Sequence, residues 1–534
     1  MVLHKRLLWL AVSILLITGS ISTSVSASGP LWDQVAPGIE FTKYELPDPN
    51  NVFVVRMDRA NPSVTLESSI ATGALSQGRE SVSGMFARYD QALNFWGGSS
   101  NPPNWSMRNQ VVVAINGSYY DWASGVPQGG QVQSGWYAKR YDDWGGWSGF
   151  AWKLDRSAFI GECVYHLPEK QYIVYQLTGN TQLITHINTS RGTNDLVLYT
   201  PQYNSRTGTD NSGVEVVVEM ARPTLILPGP AYASGTIRQL HSAAGNSLIP
   251  FNSIVLSATD AAAQTLLANV QVGSEIHISQ EITNCPGSDP VSWTKTYAAI
   301  QGAFYFLEAG QIHEFNDDPG ATTRNPRTAI AYDDQYIYFI VVDGRDVARS
   351  IGMTITQLAE FARDTLGASY GVAQDGGGSS TMVINGSVVN NTYCNLYTCT
   401  GNYKAYLPVS INHGPTAKSS PPAESQVTIS PAGIERNVAN GMLMVIAQPG
   451  IFSTTFSAGD AITTKYGVGL RLGPGSNYAA YSSIPAGTAG TILEQVNGLN
   501  GVQAKGSYWW YVKFGDVSGW LPEDALAPSK LLSP

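Results

Sequence analysis

The chain has few charged residues, few cysteines and, after its N-terminus, no long hydrophobic run. Charged residues make up only 13% of its 534 residues, and the formal net charge is -9. A general nucleic-acid-binding protein needs a basic surface to displace counterions, so this charge balance argues against that function. The four cysteines form no Cys-x-x-Cys pair and have no histidine cluster beside them, which argues against a zinc site. We predict neither a metal site nor a cofactor.

Glycine and aromatic residues are abundant instead. The chain has 54 Gly, 27 Tyr and 13 Trp, and 43% of its residues are hydrophobic. This composition is typical of a β-rich extracellular protein with many turns. A chain of this length can form two or more domains and bury a large core.

The N-terminus has the pattern of a secretory signal. Lys5 and Arg6 precede the apolar residues 7–17, and small residues follow as far as Ala27. The apolar run is shorter than the ~20 residues that a membrane span needs, although an uncleaved anchor remains the alternative. We therefore predict a signal peptide at 1–27, no membrane span after its removal, and a secreted or envelope-associated protein.

All four cysteines lie beyond the predicted signal, so they would meet an oxidising compartment. They are Cys163, Cys285, Cys394 and Cys399. Cys394 and Cys399 are close enough in sequence to close a small loop by a disulfide bond, which would leave Cys163 to pair with Cys285. Because 4 cysteines allow 3 connectivities, the pairing stays open.

Residues 28–414 contain no low-complexity break, and we predict one large α+β catalytic domain with a mixed β-sheet and flanking helices. A capping box of Thr354 and Gln357 begins one helix, which Gly367 ends. Asn385-Gly386 has the pattern of a two-residue hairpin turn. Further predicted elements are buried strands at 111–115, 213–218 and 336–342, a helix at 260–269, and hairpin strands at 381–384 and 387–390.

One loop combines an acid, a glycine run and a row of hydroxyls. Asp375 is followed by Gly376, Gly377, Gly378, Ser379, Ser380 and Thr381. Glycines allow close backbone approach, so their amides can converge into an anion-binding concavity beside the fixed acid. A tight turn with a capped aspartate is the alternative. The rigid strand and hairpin on either side favour a preorganised site.

The C-terminal part is predicted to hold a second, smaller domain. Residues 415–456 are predicted as a linker, because 417–425 are rich in Pro and Ser. Short alternating strands with Gly-rich turns at 457–530 predict a small all-β barrel. The motifs at 469–478, 508–514 and 519–522 resemble bacterial SH3-like domains of secreted wall enzymes. That resemblance implies a module that binds cell-wall glycan, and a plain spacer is the alternative.

Five motifs, in order along the chain, resemble the phosphodiester glycosidase family. They are AINGSYY at 114–120, NPRTAI at 325–330, VVDGR at 341–345, GMT at 352–354 with its helix, and DGGGSSTM at 375–382. Segments 199–201, 207–209 and 213–216 also match. The chain departs from the family's pattern at Ser118, Tyr119 and Tyr120, where a second Gly and Phe are usual. It departs again at Gln374, where an Asn-Leu pair commonly precedes the Asp.

The resemblance implies hydrolysis of a sugar-1-phosphodiester at the anomeric carbon. Asp375 would then stabilise an oxocarbenium-like state or activate water. The amides of the three glycines, with Ser379, Ser380 and Thr381, would hold substrate oxygens. Arg327 is our first choice to bind the phosphate bidentately, and Arg345 is the second.

Other polar groups at strand ends have two interpretations each. Asp343 could be a second acid or orient an arginine, and an ion pair with Arg345 fits equally well. Asn116 and Asp121 could bind sugar hydroxyls or cap turns. The same holds for a cluster of rings that could stack on sugars or fill the core, namely Trp122, Trp136, Trp144, Trp147 and Trp152 with Tyr137 and Tyr141.

We therefore expect a secreted hydrolase that cleaves sugar–phosphate linkages in envelope polymers or exopolysaccharide. Its substrate would be a carbohydrate phosphodiester, with cell-wall glycan as a further partner of the C-terminal domain. A non-catalytic glycan-binding surface protein is the main alternative. A phosphodiesterase that breaks the P–O bond instead is another.

Overall fold

The computed structural model describes residues 31–76, 78–89, 108–141, 148–161, 164–166, 168–221, 233–279, 282–283, 296–392, 435–448, 453–494, 501–504 and 506–529. The predicted signal peptide, the four cysteines, residues 415–434 of the predicted linker, Trp144 and Trp147 lie outside these ranges. Within them, no helix is both long enough and apolar enough to cross a bilayer.

Strands are the main regular secondary structure of the described residues, and the helices are short. The first strands are β1 (Asp33–Ala36), β2 (Ile39–Leu46), β3 (Asn50–Asp58), β4 (Val64–Ile70), β5 (Arg108–Asn116), β6 (Gln131–Gln133), β7 (Trp136–Lys139), β8 (Gly149–Lys153), β9 (Ala158–Gly161), β10 (Tyr165–His166), β11 (Tyr172–Tyr175), β12 (Thr181–Leu183), β13 (His186–Ile187), β14 (Leu196–Tyr199), β15 (Val214–Met220), β16 (Ala233–Ser242), β17 (Ser253–Ala258) and β18 (Glu275–Ser279).

The remaining strands are β19 (Ile282–Thr283), β20 (Thr296–Gln301), β21 (Tyr305–Glu308), β22 (Gln311–Ile312), β23 (Arg327–Tyr332), β24 (Tyr336–Val342), β25 (Tyr370–Ala373), β26 (Met382–Ile384), β27 (Ser387–Val388), β28 (Asn440–Gln448), β29 (Ala461–Thr464), β30 (Val468–Arg471), β31 (Ala480–Ile484), β32 (Ala489–Ile492), β33 (Val502–Ala504), β34 (Ser507–Phe514), β35 (Val517–Pro522) and β36 (Leu526–Pro528). The helices are α1 (Val82–Tyr89), α2 (Asp260–Asn269), α3 (Pro319–Thr322) and α4 (Ile355–Glu360), which continues into a π-helical turn at Phe361–Thr365.

The strands divide over several sheets rather than the one large sheet that we predicted. The first sheet has the order β1-β2-β3-β24-β23-β25-β21-β22, and the second has the order β27-β26-β5-β28-β4. The third is β7-β6-β20-β8-β9, and the fourth is β12-β11-β18-β16-β15-β17-β14-β13. Among the described strands only β13 and β14 pair in parallel. The fold is thus β-rich, with few helices.

The main core lies among the first three sheets. Phe339 of the first sheet, Met444 of the second and Ile300 of the third belong to one buried cluster. Burial on both faces explains why β24 is almost continuously apolar, since a strand covered on both faces needs no polar alternation. On the other face of the first sheet, Leu358 of α4 packs into a second cluster.

Several local predictions are confirmed. Thr354 accepts a hydrogen bond from the Gln357 amide at 3.1 Å, and the Gln357 side chain accepts one from the Thr354 amide at 3.1 Å. This is the predicted capping box, and it begins α4. The hairpin β26–β27 turns at Asn385 and Gly386 as predicted. The strands expected at 111–115, 213–218 and 336–342 and the helix at 260–269 are also present.

The predicted linker at 415–456 is wrong for residues 440–448. These residues form β28, an internal strand of the second sheet between β4 and β5. Met442, Leu443, Met444 and Val445 are fully buried there. The local sequence of a strand does not show which strands it pairs with. A short apolar run after a Pro-rich and Ser-rich stretch therefore looks like part of the linker.

Strands β29–β36 form a separate C-terminal sheet in the order β31-β30-β35-β34-β32-β29-β36, with β33 paired to β34. It has its own buried cluster around Trp510, Leu470 and Leu521. This confirms an all-β C-terminal part, and its kinship with SH3-like domains stays a prediction.

The position of β28 predicts how truncated chains behave. Residues 28–450 should fold and unfold cooperatively on heating, because they keep β28, whereas residues 28–434 should not fold. Circular dichroism melting curves and the yield of soluble protein would measure the difference. Cooperative unfolding of 28–434 would contradict the structural importance of β28.

Candidate active site

The first and second sheets meet at a place where several strands of each begin or end. In the first sheet β23 begins at Arg327, next to the end of β24 and the end of β25. In the second sheet β5 ends at Asn116, close to the starts of β26 and β28. The loop 375–381 runs from β25 in the first sheet to β26 in the second. Polar groups from both sheets therefore gather around this loop.

Asn116 fixes the loop. It is fully buried, and its Oδ1 accepts hydrogen bonds from the Thr328 Oγ1 at 2.7 Å and the Thr381 amide at 3.1 Å. Its Nδ2 donates to the Asp375 carbonyl at 2.7 Å. We considered that Asn116 binds sugar hydroxyls or caps a turn; its side chain is bonded to protein groups of both sheets and of the loop. Its role here is to position both ends of the loop.

Gly117 allows the chain to pass close to the second sheet. The Asp375 amide donates to the Gly117 carbonyl at 2.9 Å, and the Gly117 amide donates to the Asn440 carbonyl at 2.8 Å. A Cβ atom on Gly117 would lie 2.4 Å from Asn440 Oδ1 and 2.5 Å from Ile300 Cδ1. Any side chain at position 117 would therefore have to displace the Asn440 and Ile300 side chains or move Gly117, whose carbonyl accepts from the Asp375 amide.

Asp375 is a buried acid with a strong hydrogen-bond donor beside it. Ser379 Oγ donates to its Oδ2 at 2.5 Å. Burial raises the pKa of Asp375 to about 6, against the opposing effects of Ser379, Arg436, the Gly376 amide and Arg345. Above that pH the carboxylate is the dominant form.

Arg436 contacts the site although sequence reasoning missed it. Its side chain is buried, and its Nη1 donates to Ser379 Oγ at 3.3 Å. Its positive charge lowers the pKa of Asp375 more than that of Arg345 does. Arg436 lies just before β28, in the segment that we predicted as linker. The apolar run GMLMVI at 441–446 is the signal that could have marked a strand there.

Arg345 is the second arginine that acts on Asp375. Its Nε and Nη2 donate to Asn325 Oδ1 at 3.2 and 3.0 Å. Its backbone has a φ of 62°, a left-handed conformation that is uncommon outside glycine and that occurs often at functional sites. Gly377 has a φ of 64°, and a Cβ there would lie 3.3 Å from Arg345 Nη2. The glycine thus leaves room for the guanidinium.

Arg327, our first choice for the phosphate, is held by the backbone. Its Nε donates to the Met353 carbonyl at 2.8 Å and its Nη2 to the Thr323 carbonyl at 2.6 Å. Burial lowers its pKa to about 10, while the nearby Tyr119 opposes that shift. These bonds hold two of the three guanidinium nitrogens of Arg327 on backbone carbonyls.

Asp343 supports the end of the loop. Its carboxylate is buried, and its Oδ1 accepts from Asn390 Nδ2 at 3.2 Å and the Asn391 amide at 3.0 Å. Asn390 Nδ2 also donates to the Ser380 carbonyl at 3.1 Å. Burial raises the pKa of Asp343 to about 7. The contacts favour a positioning role over the ion pair with Arg345 that we considered.

The loop amides and hydroxyls form a less open cradle than we predicted. The Gly377 amide donates to the Pro326 carbonyl at 2.9 Å. Gly378, Ser380 and Thr381 are buried, and the Ser380 and Thr381 hydroxyls do not reach the surface. Within the loop only Gly376 and Gly377 are partly exposed.

A loop after β5 carries an exposed aromatic ring next to Arg436. Asp121 is exposed, and its Oδ1 caps the turn by accepting from the Ser124 amide at 2.7 Å and from Ser124 Oγ at 2.8 Å. The turn presents Trp122, which is 51% exposed, with the Arg436 guanidinium 5.2 Å from its ring. The other described rings of the predicted aromatic cluster are core residues, namely Trp136, Trp152, Tyr137 and Tyr141.

Comparison with known proteins points to the same region. A family model described as phosphodiester glycosidase matches residues 234–399. The matched segment includes Arg327, Asp343, Arg345 and the Asp375 loop, and it ends before Arg436. No curated protein matches the chain.

Two solved structures resemble the fold distantly. One is a hypothetical protein from Synechocystis, with 14% identity and a TM-score of 0.47, matched over 79% of this chain and 64% of its own length. The chain therefore spans less than two thirds of that protein. The other is the catalytic domain of zebrafish N-acetylglucosamine-1-phosphodiester alpha-N-acetylglucosaminidase, auto-inhibited by its pro-peptide. It has 13% identity and a TM-score of 0.32, and the match covers 78% of this chain and 86% of that one.

Asp343→Asn should make stability less dependent on pH. Because the pKa of Asp343 is raised to about 7 from 3.8, its contribution to folding is full below pH 3.8 and is lost as pH rises towards 7. One pKa unit corresponds to about 1.4 kcal/mol. Between pH 4 and 7 the free energy of unfolding should therefore fall by up to a few kcal/mol more in the wild type than in the variant. Urea unfolding between pH 4 and 7 would measure it.

Asp364→Asn is the matched control for this comparison, because Asp364 is an exposed acid paired with Arg363. Its unfolding free energy should follow the wild-type pH dependence. An identical dependence in wild type and Asp343→Asn would show that burial does not raise the pKa of Asp343.

Proposed function

We propose that the protein is a secreted hydrolase that cleaves the glycosidic bond of sugar-1-phosphodiesters in envelope or extracellular glycans. The observation that carries the proposal is a buried Asp375 carboxyl with two arginines beside its loop. Hydrogen bonds of 2.5 and 3.3 Å through Ser379 Oγ join it to Arg436, and the Arg345 guanidinium lies next to Gly377. The match of residues 234–399 to the phosphodiester glycosidase model supports the reaction class. The secretory pattern at residues 1–27 supports export.

In this mechanism the two arginines bind the phosphodiester. Guanidinium groups bind phosphate oxygens through charge-assisted hydrogen bonds. Arg436 and Arg345 bring two positive charges to a site whose central acid carries one negative charge. The two arginines can therefore also compensate the negative charge of a phosphodiester. Arg327 adds a third positive charge behind the loop, held by backbone carbonyls.

Asp375 then acts at the anomeric carbon. The bond between that carbon and the phosphate oxygen breaks, and the electron pair leaves with the phosphate. Water adds to the carbon and loses a proton, so the products are a free sugar and a phosphomonoester on the other alcohol. The ionised Asp375 stabilises the oxocarbenium-like state or takes the proton from water. Because a phosphomonoester is a weak base, its departure needs little protonation.

The pKa of Asp375 fits this role near neutral pH. Burial raises it to about 6, so the carboxylate is the dominant form at pH 7 but remains a better base than an exposed aspartate. Ser379 Oγ, which donates to Oδ2 at 2.5 Å, fixes the orientation of the carboxylate. We propose that Asp343 positions the loop through Asn390 and takes no direct part in bond breaking.

The C-terminal sheet has a separate proposed role. We propose that it is an SH3-like module that helps the enzyme to reach cell-wall glycan. Its own buried cluster around Trp510 supports an independent core, and its sequence motifs support the comparison.

Hydrolysis in oxygen-18 water tests the reaction. With a panel of sugar-1-phosphodiesters that includes N-acetylglucosamine-1-phosphomethyl ester, the label should appear on the released sugar. Asp375→Asn should lower kcat by about 100-fold or more, because it removes the charge and keeps the shape. Label on phosphate would identify a phosphodiesterase. Binding of glycans without turnover of any diester would support a non-catalytic surface protein.

Arg436→Met should weaken phosphodiester hydrolysis. Loss of a charge-assisted hydrogen bond worth about 1.5–3 kcal/mol predicts a decrease of about 10- to 100-fold in kcat/KM. Because the Arg436 charge lowers the pKa of Asp375, the acidic limb of the pH–rate profile should also move to higher pH. Arg363→Met is the control, since Arg363 is exposed and pairs with Asp364. An unchanged profile would remove Arg436 from the site.

A further inference from the structure

A second cleft lies between the fourth sheet and the C-terminal sheet. It has a volume of about 820 Å³, within the range of about 300–1,000 Å³ that is usual for ligand sites. Residues of β15 and β16 form one wall, and residues of β30, β31, β34 and β35 form the other. None of the residues that line it belongs to the Asp375 site. It is therefore a separate cavity.

An aromatic contact holds the two walls together. Phe251, which lies two residues before β17, packs against Trp520 at 5.5 Å and Tyr478 at 5.8 Å between ring centroids. The Phe251 amide also donates to the Leu472 carbonyl at 3.3 Å. Phe251, Trp520 and Trp509 are almost fully buried in this cluster. The cleft is thus preformed, so a ligand need not bring its walls together.

Tyrosine rings supply apolar surface in the cleft. Tyr511 and Tyr481 both line it and are only partly buried. Tyr511 packs on Trp520 with ring centroids 5.4 Å apart, which fixes its orientation. The Tyr481 hydroxyl donates to the Ser518 carbonyl. Fixed flat rings of this kind can stack on the apolar face of a sugar.

The charges in the cleft are nearly balanced. Glu219 and Arg238 form an ion pair at 2.6 Å, and Glu219 Oε1 also accepts from Asn252 Nδ2 at 3.0 Å. The remaining charged side chains are Arg471, Glu494 and Asp516. With three acids and two arginines, the cleft offers no excess positive charge to a polyanion. It does offer both donors and acceptors, which suit a ligand rich in hydroxyl groups.

We propose that this cleft binds an uncharged stretch of oligosaccharide, as a second, non-catalytic glycan site. The inference deepens the proposed function, because the bound saccharide would belong to the same polymer whose phosphodiester reaches Asp375. The cleft would hold the polymer while the Asp375 site acts on its phosphodiester linkages. Its walls belong to both parts of the protein, so neither sheet alone forms the site.

Affinity electrophoresis of the full chain tests the proposal. The gels contain dextran, glucomannan, xylan or soluble N-acetylglucosamine polymer, with polygalacturonate as the anionic comparison. At least one neutral glycan should retard the wild type, and Tyr511→Ala should lose at least about tenfold in affinity for it. Arg238→Ala changes the opposite wall at a side chain that is 57% exposed, so it tests the cleft even where Tyr511→Ala folds poorly.

Tyr466→Ala is the matched control, because Tyr466 is a 43% exposed tyrosine of the C-terminal part that does not line the cleft. It should bind like the wild type. Equal retardation of the wild type and both cleft variants by every neutral glycan would overturn the proposal, and so would binding to polygalacturonate alone.

The catalytic assay separates this inference from the proposed function. Cleft variants should hydrolyse a small sugar-1-phosphodiester at the wild-type rate, whereas Asp375→Asn should keep its affinity for the neutral glycan. Loss of glycan binding in Asp375→Asn would place the saccharide in the Asp375 site instead and contradict the cleft.

Discussion

The buried side chain of Asn116 is the interaction on which the site depends. One amide group joins β5 of the second sheet to Thr328 of the first sheet and to both ends of the loop that carries Asp375. A buried amide is costly to leave unpaired, so each of these partners is needed to stabilise the others. The position of the acid is therefore set by contacts between sheets rather than by the flexibility of its glycines.

The fixed, buried position of Asp375 determines its pKa. A buried carboxyl resists ionisation, and nearby guanidinium groups favour it. At Asp375 burial has the larger effect, since its pKa rises to about 6 despite Arg436 and Arg345. The result is a carboxylate that is mostly ionised at neutral pH, beside two guanidinium groups. Such an acid is able to respond to charge that develops on a substrate.

Local patterns in the sequence predicted local structure well. The capping box of α4, the Asn385-Gly386 turn and the apolar strand β24 depend on neighbours along the chain, and all three are present. The unusual composition of the Asp375 loop also predicts a site there, and that stays a prediction. What the sequence could not show is which distant groups pack against that loop.

The contacts that local patterns did not predict have one physical cause. Arg327 and Arg436 are alike as residues, and only tertiary contacts show that backbone carbonyls hold the first while the second reaches Ser379. The role of Asn116 is equally hidden, because its side-chain partners Thr328, Asp375 and Thr381 lie 212 to 265 residues away along the chain. Pairing over such distances leaves no mark in a local pattern.

The position of β28 between β4 and β5 also has a consequence for folding during translation. Strands β4 and β5 flank β28 and do not pair with each other, so the gap between them stays open until Gln448 has been made. At about 5–20 residues per second, the 332 residues from 116 to 448 take roughly 17–66 s to translate. For that time the backbone N–H and C=O groups on the facing edges of both strands lack the partners that β28 provides. Arg436 reaches Ser379 only when that wait ends, so the nascent chain has no complete site until translation is nearly finished.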